Sequence, residues 1–245
     1  MGTALVTGAG RGLGAVIAHT LAQRGWAVAV NDLPGGGADD TVAAIVSAGG
    51  SAVVAEGDIT DEGAVAELVG SATERLGPIG CLVANATGPQ PVIDIVDLTW
   101  RDHLNQLEFF VKSPTLLTQA VLPGMRSLGG GRIVHIGSDM PDRALPGWAA
   151  YAAAKSAQLT LARVSARELG PDNITVNVVA PGWIPVERHA DAPPAVRARY
   201  AADVPLGRMG TPADIAATVA FLASADGAFI TGQCIPVNGG HTIAQ

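Results

Sequence analysis

One run near the start, Thr7-Gly8-Ala9-Gly10-Arg11-Gly12-Leu13-Gly14, constrains this chain more than any other. It follows a short apolar segment, Ala4–Thr7, and opens a stretch of helical character. Glycines so close together allow a turn too tight for residues with a Cβ, and they let backbone N–H groups approach a diphosphate. A helix starting there also points the positive end of its dipole at the same anion. The spacing Gly8-x3-Gly12-x-Gly14 departs from G-x-G-x-x-G, so the glycines alone say little. Their place between strand and helix gives the motif its force.

The rest of the chain repeats that unit. Short apolar runs at Ala4–Thr7, Ala27–Asn31, Ala52–Glu56, Cys81–Asn85, Arg132–Ser138, Thr175–Ala180 and Ile235–Asn238 predict seven strands buried on both faces. Helical periods lie between them. In Glu62–Leu76, Val65, Leu68, Val69, Ala72 and Leu76 share one face. Thr211, Pro212 and Asp214 have the pattern of an N-cap, an N1 proline and an N3 acid. Strand–helix alternation predicts an α/β fold, a doubly wound parallel seven-stranded sheet with right-handed crossovers. No linker or repeat divides residues 1–245, so one domain is expected. The irregular stretch Pro185–Pro194 begins where ligands sit in such sheets, beyond the carboxyl ends of the strands. It predicts a substrate-covering segment over 185–204.

Composition narrows the function. Hydrophobic residues make up 48 % of the 245 and charged residues 15 %, enough apolar material for a large core. A formal charge of −7 argues against a nucleic-acid partner, which needs clustered Lys and Arg. The five histidines have no ligand spacing, so no catalytic metal is expected. Cys81 and Cys234 fall in apolar stretches and are expected as buried thiols of a reducing compartment. There is neither a secretion signal nor an apolar run of membrane-spanning length, which makes a cytoplasmic protein with no membrane partner the expectation.

Tyr151-Ala-Ala-Ala-Lys155 carries the sharpest chemistry. Positions i and i+4 of a helix share a face, which puts the ammonium beside the phenol. A free tyrosine, with a pKa near 10, is no base at neutral pH, whereas a neighbouring cation stabilises the phenolate. The chain has only two tyrosines and two lysines, Lys112 and Lys155, so chance would produce this helical spacing in under about 2 % of random placements. Ser138, at the end of the fifth strand, could donate to a carbonyl oxygen as negative charge develops. It is no hydrolase nucleophile: an elbow needs glycines two residues to either side, and Ile136 and Met140 stand there. His135 alternates onto the opposite strand face and is expected to be packed. Asp32 closes the second strand, where a carboxylate accepts from ribose hydroxyls and repels a 2′-phosphate. That favours NAD over NADP, although Arg11 in the glycine turn could reach a phosphate.

With these motifs in place, the chain resembles the short-chain dehydrogenase/reductase family over essentially its full length, and its 3-oxoacyl reductases in general pattern. The resemblance rests on Thr7–Gly14, Asp58-Ile59, Tyr151–Lys155, Pro181-Gly182, and the closing Ile230-Thr231-Gly232-Gln233 and Val237-Asn238-Gly239-Gly240. It implies the Rossmann fold, with Ser138, Tyr151 and Lys155 catalytic. It further implies a nicotinamide dinucleotide held by Gly8, Arg11, Gly12, Leu13, Asp32, Asp58, Ile59, Asn85, Ala86, Tyr151, Lys155, Pro181, Gly182 and Ile184. A homotetramer or homodimer is implied as well. Three positions depart from the family pattern: Thr87, where N-N-A-G has its glycine; Phe110, where a helical asparagine supports a proton relay; and Val186, where a threonine is usual. The expected activity is hydride transfer between NAD(H) and a ketone or secondary alcohol, 3-oxoacyl-like or another small carbonyl. A non-catalytic dinucleotide sensor and a halohydrin dehalogenase-like lyase on the same fold are the alternatives. Trp148 and Trp183 are candidates for an apolar pocket wall.

Overall fold

A computed structural model describes residues 2–187 and 190–243. Seven parallel strands form one sheet: β1 (Thr3–Val6), β2 (Ala27–Val30), β3 (Ala52–Val54), β4 (Ile79–Ala84), β5 (Gly131–Ile136), β6 (Ile174–Pro181) and β7 (Cys234–Val237), in the order β3-β2-β1-β4-β5-β6-β7. The order reverses between β1 and β4, and a crevice opens there beyond the carboxyl ends of the strands.

Helices cover both faces, which is why the strands lack polar alternation. On one side α1 (Gly12–Gln23), α2 (Ala38–Ser47) and α9 (Pro212–Ala223) bury Ile17, Leu21, Ile45, Ile215 and Val219 against Val6, Val30, Val83 and Val134. On the other side α3 (Glu62–Leu76), α5 (Ser113–Ser127) and α7 (Ala149–Leu169) bury Leu68, Leu117, Met125 and Ala162 against Leu5, Leu82, Ile133 and Val176. Each such Leu or Val contributes about 1.5–3 kcal/mol by leaving water. The helices α4 (Trp100–Leu107) and α6 (Met140–Arg143) pack against α7, and α8 (Pro194–Asp203) follows β6 in the chain.

Helix α3 matches its expected limits, capped by Asp61, whose carboxylate accepts from the Ala64 N–H. Six of the strands end one or two residues earlier than the apolar runs predict, whereas β6 runs one residue further, to Pro181. Thr7 and Asn31 still donate their N–H groups across the sheet, to the carbonyls of Val83 and Val6, but their side chains bond bridging loops: Thr7 Oγ1 accepts from the Asn85 and Ala86 N–H groups, and Asn31 Nδ2 donates to the carbonyls of Ala55 and Gly57. Ser138 is likewise outside β5, which stops at Ile136. Cys81 is buried as expected, its thiol pushed up to about 12 by desolvation, whereas Cys234 on the edge strand is only partly buried. None of the described helices is long and apolar enough to cross a membrane.

Candidate active site

The glycine turn sits at the switch point and is built from the backbone outward. Gly8 has φ +60°, and a Cβ there would stand 2.7 Å from the Cα of Ala86. A Cβ at Gly14 would strike the Gly8 carbonyl and the Asn85 side chain. The neighbouring motif locks the turn in place: Asn85 Nδ2 donates to the carbonyls of Thr7 (2.9 Å) and Gly8 (3.1 Å). Asp32 locks it from the other side, its Oδ2 accepting from the Gly10 N–H at 2.9 Å and its Oδ1 from the Leu33 N–H at 2.9 Å. No side chain caps α1, whose N-cap is the exposed Arg11, and no acid occupies its first turn. A helix start of this kind suits a diphosphate.

The remaining cofactor candidates ring the same edge. Asp58 is exposed, and its Oδ1 accepts from both the N–H and the hydroxyl of Thr60 at 2.8 Å. The side chains of Ile59 and Ile184 are buried in opposite core layers, so these two residues face the crevice only through their backbones. The Pro181 carbonyl is taken by the Asp139 N–H at 3.0 Å. Beyond Gly182 the chain returns across the glycine turn: Glu187 Oε2 lies 3.1 Å from where a Cβ at Gly12 would stand, with Val186 beside it. Residues 188 and 189, inside the expected covering segment, lie outside the described residues. The segment over 185–204 closes with α8, which begins at Pro194, the last residue of the stretch expected to be irregular. Buried Tyr200 pins that helix back, its hydroxyl accepting from the Trp183 N–H at 2.7 Å.

Tyr151 and Lys155 stand one turn apart on α7, Lys155 Nζ lying 5.8 Å from the centre of the Tyr151 ring. Tyr151 is half-buried and meets Phe110 edge-on at 5.4 Å and Trp148 at 5.6 Å. Lys155 is buried, and its ammonium donates to the Ile136 carbonyl at 2.7 Å. Ser138, two residues beyond β5, accepts through Oγ from the Met140 N–H at 3.1 Å and so starts α6. Phe110 lies in a five-residue π turn, Glu108–Lys112, between α4 and α5; such turns re-aim side chains at sites.

Among the described residues no group of three or more His, Cys, Asp or Glu is placed to hold a metal. Residues 8–242 match the family model described as "Enoyl-(Acyl carrier protein) reductase". The chain belongs to the short-chain dehydrogenase/reductase family. Among its relatives, a cis-4-hydroxycyclohexanecarboxylate dehydrogenase of Sinomonas cyclohexanicum is 36 % identical over 239 residues, covering 98 % of this chain and 96 % of the relative. A 3-oxoacyl-[acyl-carrier-protein] reductase of Escherichia coli K12 is 37 % identical, covering 97 % and 96 %. Among solved structures, a 7α-hydroxysteroid dehydrogenase complexed with NADH and 7-oxo glycochenodeoxycholic acid superposes with a TM-score of 0.93 at 35 % identity, covering 98 % of this chain and 93 % of that one. This short-chain dehydrogenase/reductase is therefore an oxidoreductase of a family that uses nicotinamide dinucleotides.

Two features of this family member escape sequence reasoning. Behind Ser138 lies a buried polar group: the Asp139 carboxylate takes the Asn238 amide at 3.3 Å and faces His241 Nδ1 at 3.7 Å. Burial pushes the Asp139 carboxyl upward, opposed first by the Arg143 charge and then by Asn238 and His241. Asp139 and Arg143 are about a hundred residues from Asn238 and His241, so no local spacing links the two pairs. The second feature is Gln158, whose Oε1 takes the Lys155 ammonium at 3.1 Å. Its signal was available, since Gln158 shares the helical face of Lys155 at i+3.

Proposed function

We propose that this protein transfers hydride between NAD(H) and a ketone or secondary alcohol, with Tyr151 as general acid/base, Lys155 holding its pKa down, and Ser138 polarising the carbonyl. The observation that carries this reading is the buried Lys155 ammonium one helical turn from the half-buried Tyr151 phenol. A fixed positive charge at that distance favours the phenolate and brings proton transfer into the neutral range. Ser138 stands at the crevice end of β5, where its hydroxyl can donate to an oxygen gaining negative charge. When bound, the nicotinamide supplies or accepts the hydride. Gly8, Arg11, Gly12 and Leu13 hold the diphosphate, Asp32 the adenosine ribose, and Asp58 with the Ile59 backbone the adenine. Asn85 and Ala86 support the turn, while Pro181 sets the course of the chain beyond it, where the Gly182 and Ile184 backbone would meet the carboxamide.

The relatives' names have a secondary alcohol or ketone in common: a ring alcohol, a 3-oxoacyl group and a steroid 7-ketone. The same class of small-molecule substrate is proposed here, enclosed by Trp148, Trp183 and the segment over 185–204. We infer a preference for NAD because a carboxylate just beyond β2, that of Asp32, would accept from ribose hydroxyls and repel a 2′-phosphate.

Absorbance at the nicotinamide band, with NADH and NADPH paired against a ketone library, tests the reading. Turnover with NADH should exceed that with NADPH, and Tyr151→Phe should abolish it while NADH still binds. Retained turnover in Tyr151→Phe would sink the assignment of the acid/base residue, and an NADPH preference would sink that of Asp32. NADH binding with no turnover on any ketone or alcohol would favour a dinucleotide sensor, a reading that the Phe110 departure motivates.

A further inference from the structure

The surroundings of Lys155 point to a second layer of the site, which rests on the proposed pairing of Tyr151 with Lys155. Besides the Ile136 carbonyl, the ammonium meets two groups that have no evident role in cofactor binding. Gln158 Oε1 accepts from it at 3.1 Å, and the Phe110 ring lies under it with Nζ 3.7 Å from the ring centre. Both are buried, Phe110 to 1 % and Gln158 to 2 % exposure, so neither is a solvated neighbour. Phe110 also touches the phenol of the pair, its ring 5.4 Å from that of Tyr151 at 87°. The π turn is what brings Phe110 inward against both residues.

The chemistry of the two groups is complementary. An aromatic face attracts a cation electrostatically yet has no lone pair to take its proton, and in a desolvated place the attraction is at its strongest. A glutamine oxygen accepts a hydrogen bond without neutralising the charge, as a carboxylate would. Of the titratable groups near the ammonium, Tyr151 lies on its own helix and His135 faces it from β5. Burial, helped by the Lys155 charge, drives the His135 imidazole down to about 4, so it adds no second positive charge at neutral pH. Glu108, on the π turn, is exposed.

We propose that Phe110 and Gln158 are positioning residues: an aromatic face and a neutral amide form a socket that keeps the Lys155 ammonium charged and aimed at the Tyr151 phenol. The ionisation of Tyr151 then depends on the socket as well as on the lysine.

Tyrosinate absorbance reads this directly without any substrate. Tyr151 and Tyr200 are the two tyrosines of the chain, so subtracting the titration of Tyr151→Phe isolates Tyr151. The wild-type phenol should ionise below the usual value near 10. Phe110→Leu and Gln158→Leu should each raise it by about one unit, roughly tenfold less phenolate at a fixed pH. Gln158→Glu should raise it further by neutralising the ammonium. NADH fluorescence confirms the fold of each variant, and Gln158→Met replaces Gln158→Leu if the latter does not fold. A depressed wild-type value that neither Phe110→Leu nor Gln158→Leu moves would overturn the socket and leave the Tyr151–Lys155 pair standing. A wild-type value near 10 would overturn the pair, and the socket with it.

Discussion

At the scale of single residues, this protein places several polar groups where water cannot reach them, and each carries a consequence for pH. His135 shows it most simply. Its imidazole is buried, Nδ1 has no hydrogen-bond partner among the described residues, and desolvation drives the pKa from the ordinary 6.5 to about 4. Below about pH 6.5 the unfolded chain therefore binds a proton that the folded chain refuses until about pH 4. Stability present at neutral pH is lost as pH falls through that window, by about 3 kcal/mol in all. Asp139 works the other way, since burial raises its carboxyl and the folded state takes up its proton first. Urea midpoints of wild type and His135→Gln at pH 7 and pH 4.5 separate the two: the variant should lose much less stability between them. Equal losses would remove His135 from the account. Sequence reasoning placed His135 inside by strand alternation, but its closeness to Lys155 depends on how α7 packs on β5, which no local pattern encodes.

At the scale of elements, the legible parts are those whose reasons are local. Helix α9 is the clearest case. Thr211 Oγ1 accepts from the Asp214 N–H at 3.3 Å, and the Asp214 carboxylate accepts from the Thr211 N–H at 2.7 Å, a complete capping box. Arg208 grips the same carboxylate with two bonds of 2.8 Å, and these contacts hold the Asp214 carboxyl well below the ordinary carboxylate range. Thr211→Ala should cost about 1 kcal/mol, read as a lower denaturant midpoint with unchanged slope. A loss within error would mean that the Arg208 pair alone secures the helix start. Tyr151 and Lys155 were equally legible, since four residues make a helical turn. The ends of the strands were not. Thr7, Asn31 and Ser138 look like strand residues, yet the side chains of Thr7 and Asn31 bond loops from distant parts of the chain, and that of Ser138 turns to the Met140 N–H two residues on. Helix α8 was missed for a similar reason: it is held by Tyr200 on the Trp183 N–H and has little apolar period of its own.

At the scale of the whole molecule, the sheet ends in two edge strands, β3 and β7. Among the described residues strand β7 pairs only with β6, and its residues are all partly exposed. Nearby in sequence Phe229 is fully exposed, and Leu206 is also largely uncovered. An apolar edge of this kind suits a second copy of the chain, in keeping with the homo-oligomer expected from the sequence. Light scattering after gel filtration should give a multiple of 24.7 kDa, and Phe229→Asp should shift the mass downward. A wild-type mass of one chain would refute the expectation.

Asp32 has a consequence for how this protein could change. The carboxylate proposed to select the cofactor is also the one that secures the Gly10 N–H, 2.9 Å away. On that proposal, selectivity and architecture are vested in a single side chain. Any lineage, natural or engineered, that traded Asp32 for a residue welcoming a phosphorylated ribose would loosen the loop that must cradle that same molecule. A new preference would have to arrive together with a new anchor for Gly10, so the route between the two cofactors runs through paired substitutions.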